Sequence, residues 1–165
     1  MFIESSLNDL YQSTVSAFPK TKFRQHSTDE ITITQLQWTP FLGLKTLLIR
    51  GLAENKGNRH QYNTIMLFKE VDYDNPEISI VASDGKRYGL KKLSSENNQI
   101  LVRCNCLDHK YRFRYFNYLD HSLFGKKSKK YEGQGLWQAN PLELPGLCKH
   151  VISLGKALKD AGILI

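Results

Sequence analysis

Nowhere in these 165 residues does an apolar run approach the roughly 18 uncharged residues that a membrane-spanning helix needs. The opening Met1-Phe2-Ile3-Glu4-Ser5-Ser6 lacks both the basic and the apolar region of a secretory signal, so the chain is expected to be soluble, intracellular and without a membrane partner. Cysteine is scarce as well. There are three, an odd number for a disulfide framework, and two lie one residue apart, where a mutual bridge would be strained. Also missing are a Ser-based nucleophile elbow, a phosphate-cradling glycine loop and a His-Glu pair at metalloprotease spacing. Asp72 and Asp74 sit in a turn-like stretch and read as solvated charge. The expectation is a protein that is not an enzyme. No internal repeat or low-complexity tract marks a solenoid or a disordered tail.

What is present suits an ordinary globular chain: 41% hydrophobic and 24% charged residues, in a length that can bury a core without help from a metal everywhere. The net charge of +7 is unevenly placed. Residues 1–84 carry 8 basic against 10 acidic side chains, and residues 85–165 carry 15 against 6. A basic half attached to a near-neutral half attracts polyanions such as nucleic acid, matches an acidic protein partner, or serves solubility alone.

Hydrophobic periodicity gives the organisation. Leu7, Leu10, Tyr11, Thr14, Val15 and Phe18 recur at helical spacing, with Ser5 or Ser6 as N-cap and Pro19 beyond the end. Lys20 to His26 reads as a connector. From Ile31 the period becomes two, and about six strands follow: Ile31 to Trp38, Lys45 to Leu52, Thr64 to Val71, Ile78 to Ala82, Arg87 to Leu90 and Gln99 to Cys106. The second and third read as hairpin partners, and Asp84-Gly85 supplies a tight turn between the fourth and fifth. Residues 107–147 lack a strong period and read as a long excursion, mostly loop, before a closing helix carrying Val151, Ile152, Leu154, Leu158 and Ala161. The fold class expected is α+β: a mainly antiparallel β domain (1–98) with an N-terminal helix packed outside, and a C-terminal β-loop-α unit (99–165) on the same core.

All three cysteines fall in two short motifs, Cys104-Asn105-Cys106 and Cys148-Lys149-His150. Side chains two apart on a strand share a face, so Cys104 and Cys106 present two sulfurs side by side. Pro145-Gly146 turns the chain just before the closing helix, and Cys148 and His150 can then face that strand from the helix start. Three thiolates and one imidazole make the closed tetrahedral donor set of a structural Zn²⁺ site, with no position left for a reacting water. One structural zinc on Cys104, Cys106, Cys148 and His150 is the leading reading; the alternative is three reduced cysteines acting as small apolar side chains. His109 and His121 are weaker ligand candidates, lying without cysteine neighbours.

The CxC on a strand followed by CxH at a helix start resembles the SWIM zinc finger, over about residues 85–162, with a spacer of 41 residues that is longer than usual. That resemblance implies zinc and a binding role, in DNA-associated or protein-binding settings. More widely, Arg103 to Asp108, the aromatic Tyr111 to Tyr118 stretch, Ser122-Leu123-Phe124-Gly125 and Asn140 to His150 resemble small proteins of T4-like tailed bacteriophages of marine bacteria. This second resemblance implies a virion component, assembled in the host cytoplasm, whose partners are other protein subunits.

Two basic segments remain. Lys110, Arg112 and Arg114 alternate with Tyr111, Phe113 and Tyr115, which would suit base stacking with phosphate neutralisation. The preferred reading has the rings packed under the zinc unit and the cations in water. Lys126, Lys127, Lys129 and Lys130 form a loop tip that could grip phosphates or an acidic partner. The function expected is a non-enzymatic, zinc-stabilised structural or adaptor protein, with zinc-dependent nucleic-acid binding as the alternative.

Overall fold

A computed structural model describes residues 4–18, 28–130 and 140–165. The expected connector at Lys20 to His26 and part of the long excursion, residues 131–139, lie outside the described residues. The elements run α1 (Leu7–Ala17), β1 (Ile31–Phe41), β2 (Thr46–Asn55), β3 (Gln61–Phe68), β4 (Ile78–Val81), β5 (Arg87–Leu90), β6 (Ile100–Cys104), a π-turn (His109–Phe113), α2 (Arg114–Leu119) and α3 (Lys149–Asp160). The class is α+β, as expected from the sequence.

Strands β1, β2, β3 and β6 form one antiparallel sheet in that order, and β4 pairs with β5 in a separate hairpin. Gly85 takes φ +80° in the β4–β5 turn, closed by a hydrogen bond from the Ala82 N–H to the Lys86 carbonyl at 2.8 Å. Pairing of β6 with β3 sets Cys104 opposite Thr64, so the first cysteine enters the same sheet as the N-terminal strands. The outer edge of β6 is covered by residues 122–124: the Val102 N–H donates to the Ser122 carbonyl, and the Phe124 N–H to the Val102 carbonyl. An edge covered in this way cannot recruit a further strand at that point.

Helix α3 buries Val151, Leu154 and Leu158, the i, i+3, i+7 stripe, against the sheet. Gly51 makes that approach close, because a Cβ there would stand 2.6 Å from Leu154 Cδ1. The helix ends in a Schellman arrangement: Gly162, at φ +77°, donates to the Lys159 carbonyl, and Ile163 to the Leu158 carbonyl. Ser6 caps α1 in a capping box, accepting from the Asp9 N–H at 3.2 Å while the Asp9 carboxylate accepts from the Ser6 N–H at 3.0 Å.

Two details go beyond the expectations. Helix α1 is tied firmly to the body it packs on: Leu10 and Thr14 are fully buried, and Thr14 Oγ1 accepts from the Leu147 N–H at 2.8 Å, tying α1 to the approach to α3. The excursion after Cys106 is also more regular than a loop, for residues 109–119 are helical. Cation–ring alternation at period two hid this, and Tyr111, Phe113 and Tyr115 do not share one face: Phe113 is fully buried, the other two half-buried. Helical spacing does show in the Asp108–Arg112 ion pair, i to i+4 at 3.0 Å. The return path is held by two asparagines. Asn117 exchanges hydrogen bonds with both backbone groups of Gly146, and Asn140 Nδ2 donates to the Arg112 and Leu144 carbonyls.

Candidate metal centre

Cys104 closes β6, Cys106 lies just past its end, Cys148 is the N-cap of α3 and His150 sits in that helix's first turn. Local backbone chemistry places each one. Asn105 prolongs the β3–β6 pairing beyond the strand, its side-chain oxygen accepting from the Asn63 N–H at 2.9 Å, so the chain turns only at Cys106. The helical stretch then begins on that cysteine: the Lys110 N–H donates to its carbonyl and the His109 N–H to its sulfur, at 3.2 Å. At the other end Cys148 is extended (φ −73°, ψ 162°) and is the N-cap of α3 without a side-chain capping bond to the helix.

The four ligand atoms lie within 4.8 Å of one another, and the residues are 1%, 3%, 0% and 3% exposed in chain order. A tetrahedral zinc with about 2.3 Å bonds to sulfur sets its sulfurs roughly 3.8 Å apart, so the cluster is near the size such an ion needs. All three cysteines are free thiols. They share protons unevenly. The Cys106 thiol is pushed strongly down, first by its hydrogen bond with Cys104, then by that with Cys148, with His150 and the His109 N–H adding to it. Cys104 is pushed up chiefly by the same bond to Cys106, and Cys148 chiefly by burial. Several buried sulfurs competing for one negative charge is the arrangement a divalent cation relieves, since it stabilises every thiolate at once.

His150 is held by residues that the sequence reading did not single out. Its Nε2 lies 3.0 Å from Asn55 Oδ1, at the end of β2, and its ring stacks on Tyr62 of β3 at 4.4 Å between centroids. Because an amide oxygen only accepts, Nε2 is the donor in this bond. Nδ1 is buried and has no hydrogen-bond partner among the described residues. A histidine that donates one ring nitrogen to a fixed acceptor can offer the other to a metal, the arrangement of metal-ligating imidazoles. Only the hairpin between β2 and β3, which brings residues 55 and 62 near each other, could have pointed to these two positions.

Of the other sequence candidates, His109 is fully buried yet outside the cluster, and His121 is exposed. Asp108 is half-buried, held by Arg112, and its carboxyl is pushed up to about 6 by burial. Lys110 is exposed, with its ammonium 5.2 Å from the centroid of the Tyr111 ring, and Arg112 covers Phe18 at 5.5 Å. Lys126, Lys127, Lys129 and Lys130 are all exposed, Lys130 standing 3.8 Å from Glu143. Arg114 is half-buried. The cysteines and His150 thus form a compact, buried group that could hold a metal ion, whereas the basic candidates are dispersed over a turn and a loop. Among the described residues, no helix is long and apolar enough to cross a membrane. Comparison with protein-family models, with curated proteins and with solved structures finds no match.

Proposed function

We propose that Cys104, Cys106, Cys148 and His150 bind a single zinc ion, and that the ion is structural. The observation that carries this is the buried Cys₃His set, its four ligand atoms within 4.8 Å of one another, with His150 held in place by its hydrogen bond to Asn55. Three thiolates and an imidazole fill a tetrahedral shell, and their burial leaves no approach for a substrate. Bound zinc would supply a cross-link between the end of β6, the turn after it and the start of α3. The residues themselves do the rest: Asn55 orients the imidazole, Tyr62 packs on its face, and the His109 N–H stabilises the Cys106 sulfur.

Such a clamp fixes a surface, not a reaction centre. The protein is a non-enzymatic structural or adaptor module, in the manner of a SWIM-like unit, and its partners are other protein subunits. The exposed tip of the β1–β2 connection, where Phe41, Leu42 and Leu44 face solvent, supports protein contact, since Leu44 is 75% exposed. The tailed-phage resemblance of the sequence makes a virion the setting. Mass spectrometry of intact purified particles tests that placement: the chain is expected among their proteins. Its absence there would favour nucleic-acid binding instead, the reading to which the exposed lysines 126, 127, 129 and 130 lend support.

A further inference from the structure

A groove of about 1090 Å³ separates the β4–β5 hairpin from the β1–β2 connection and takes no part in the metal centre. Three successive residues of β5, Arg87, Tyr88 and Gly89, line one wall. Side chains of neighbouring strand residues alternate between faces, so a groove that meets all three in a row runs along the edge of the strand.

Strand register identifies the backbone groups on that edge. The pairs Val81–Arg87, Ile80–Tyr88, Ser79–Gly89 and Ile78–Leu90 continue the register of the turn, where the Ala82 N–H donates to the Lys86 carbonyl. Hydrogen-bonded and non-hydrogen-bonded pairs alternate along an antiparallel ladder. Tyr88 and Leu90 therefore bond to β4, whereas Arg87, Gly89 and Lys91 turn their backbone groups to the other side. There the Lys91 N–H donates to the Asp72 carbonyl at 2.8 Å, while the backbone groups of Arg87 and Gly89 have no partner among the described residues. Backbone of the chain itself thus pairs with this edge at Lys91 and then leaves it. What complements the next two positions is a further extended backbone.

The opposite wall is held in shape and is apolar at its rim. Lys45 and Glu70 take left-handed φ of 51° and 57°, the Val71 N–H donates to the Lys45 carbonyl at 2.8 Å, and the Tyr73 hydroxyl donates to the Thr46 carbonyl. Leu42 and Leu44 stand on the rim, 52% and 75% exposed. The charges of the lining cancel, Lys45, Lys69 and Arg87 against Glu70, Asp72 and Asp74. Such a groove offers no net field to a polyanion and suits a segment that is itself uncharged.

We propose that an extended, uncharged segment of a partner protein adds to β5 as a further strand, exchanging backbone hydrogen bonds with Arg87 and Gly89 and laying an aliphatic side chain on Leu42 and Leu44. Main-chain pairing supplies the affinity, and the alternate side chains that face the rim supply the selectivity. The site deepens the protein-partner reading given above, on which it rests, and is separate from the four metal-ligating residues.

The test is selection of a displayed library of random peptides, about twelve residues long so as to span a strand, on the zinc-loaded protein. The enriched peptide is then synthesised and titrated while amide hydrogen exchange is followed by NMR. Enriched peptides are expected to alternate aliphatic residues with uncharged polar ones. Exchange at the Arg87 and Gly89 amides should slow by roughly ten-fold or more at saturation, whereas Ser79, on the outer edge of β4, should change less than about two-fold. Leu44→Asp, at a position too exposed to matter for folding, should weaken peptide binding by roughly ten-fold or more. Leu142→Asp, exposed outside the groove, should change it less than about two-fold. No enriched peptide, or one that leaves exchange at Arg87 and Gly89 as it was, overturns the proposal, as does unchanged affinity in Leu44→Asp. Slowing of those amides with protein concentration alone, alongside a dimer in sedimentation, assigns the edge to a second copy and overturns the partner segment. Detection of the chain in purified particles without peptide binding would remove this site and leave the protein-partner reading standing, and zinc content of the same samples reports separately on the clamp.

Discussion

Replacing Asn55 by Ala removes the acceptor that fixes His150 without touching a proposed ligand. The side chain makes one relevant contact, its Oδ1 3.0 Å from Nε2, while the backbone of Asn55 keeps its turn bonds to His60 and Arg59. Loss of an outer partner to a metal-bound histidine costs about 10–100-fold in metal affinity. The lower end applies here, because a hydrogen bond between neutral groups contributes about 1 kcal/mol, and the Tyr62 ring still holds the imidazole plane. Zinc affinity is therefore expected to fall by about ten-fold, close to 1.4 kcal/mol. Competition with a chromogenic chelator at fixed pH measures it. Asn58→Ala serves as control, since the Asn58 side chain accepts only from the His60 N–H within the turn and should leave affinity unchanged. Equal affinities for wild type and Asn55→Ala would refute the role given to Asn55, that its hydrogen bond holds a metal-bound His150.

Two further outcomes follow from the packing. Gly146→Ala places a Cβ 2.6 Å from Thr14 Oγ1 and 2.7 Å from the Phe113 ring, so it should destabilise by about 1–3 kcal/mol, read as a lowered Tm, whereas Gly57→Ala meets open space and should not. Cys104→Ser should lose the metal and, by hydrogen exchange, lose protection first in residues 104–119 and 147–160 while β1 to β3 stay protected; uniform loss would show that the sheet itself depends on the ion.

The strands were legible because their signals are local. Alternation from Ile31, the turn residues after Glu54 and the Asp84-Gly85 dipeptide each needed only a few neighbours, and all six strands overlap the expected runs, the third lying three residues earlier, at Gln61–Phe68. The Cys₃His cluster was legible for a related reason: CxC at a strand end and CxH at a helix start fix side-chain direction within three residues. What was hidden depends on distant partners. Helical structure at residues 109–119 is pinned by the Cys106 sulfur and by Asn117 reaching Gly146, and nothing between Lys110 and Tyr118 announces either bond. Asn55 and Tyr62 read as ordinary hairpin residues until α3 brings His150 to them. The anchor of α1 was hidden because the bond between Thr14 and Leu147 joins residues that the sequence separates by most of its length.

The most direct test is the zinc content of protein purified without chelator, by elemental analysis against amino-acid concentration. One zinc per chain is expected, falling steeply in a Cys104→Ser, Cys148→Ser double variant. A content far below one that added zinc does not restore, or one that survives the double substitution, would contradict the clamp.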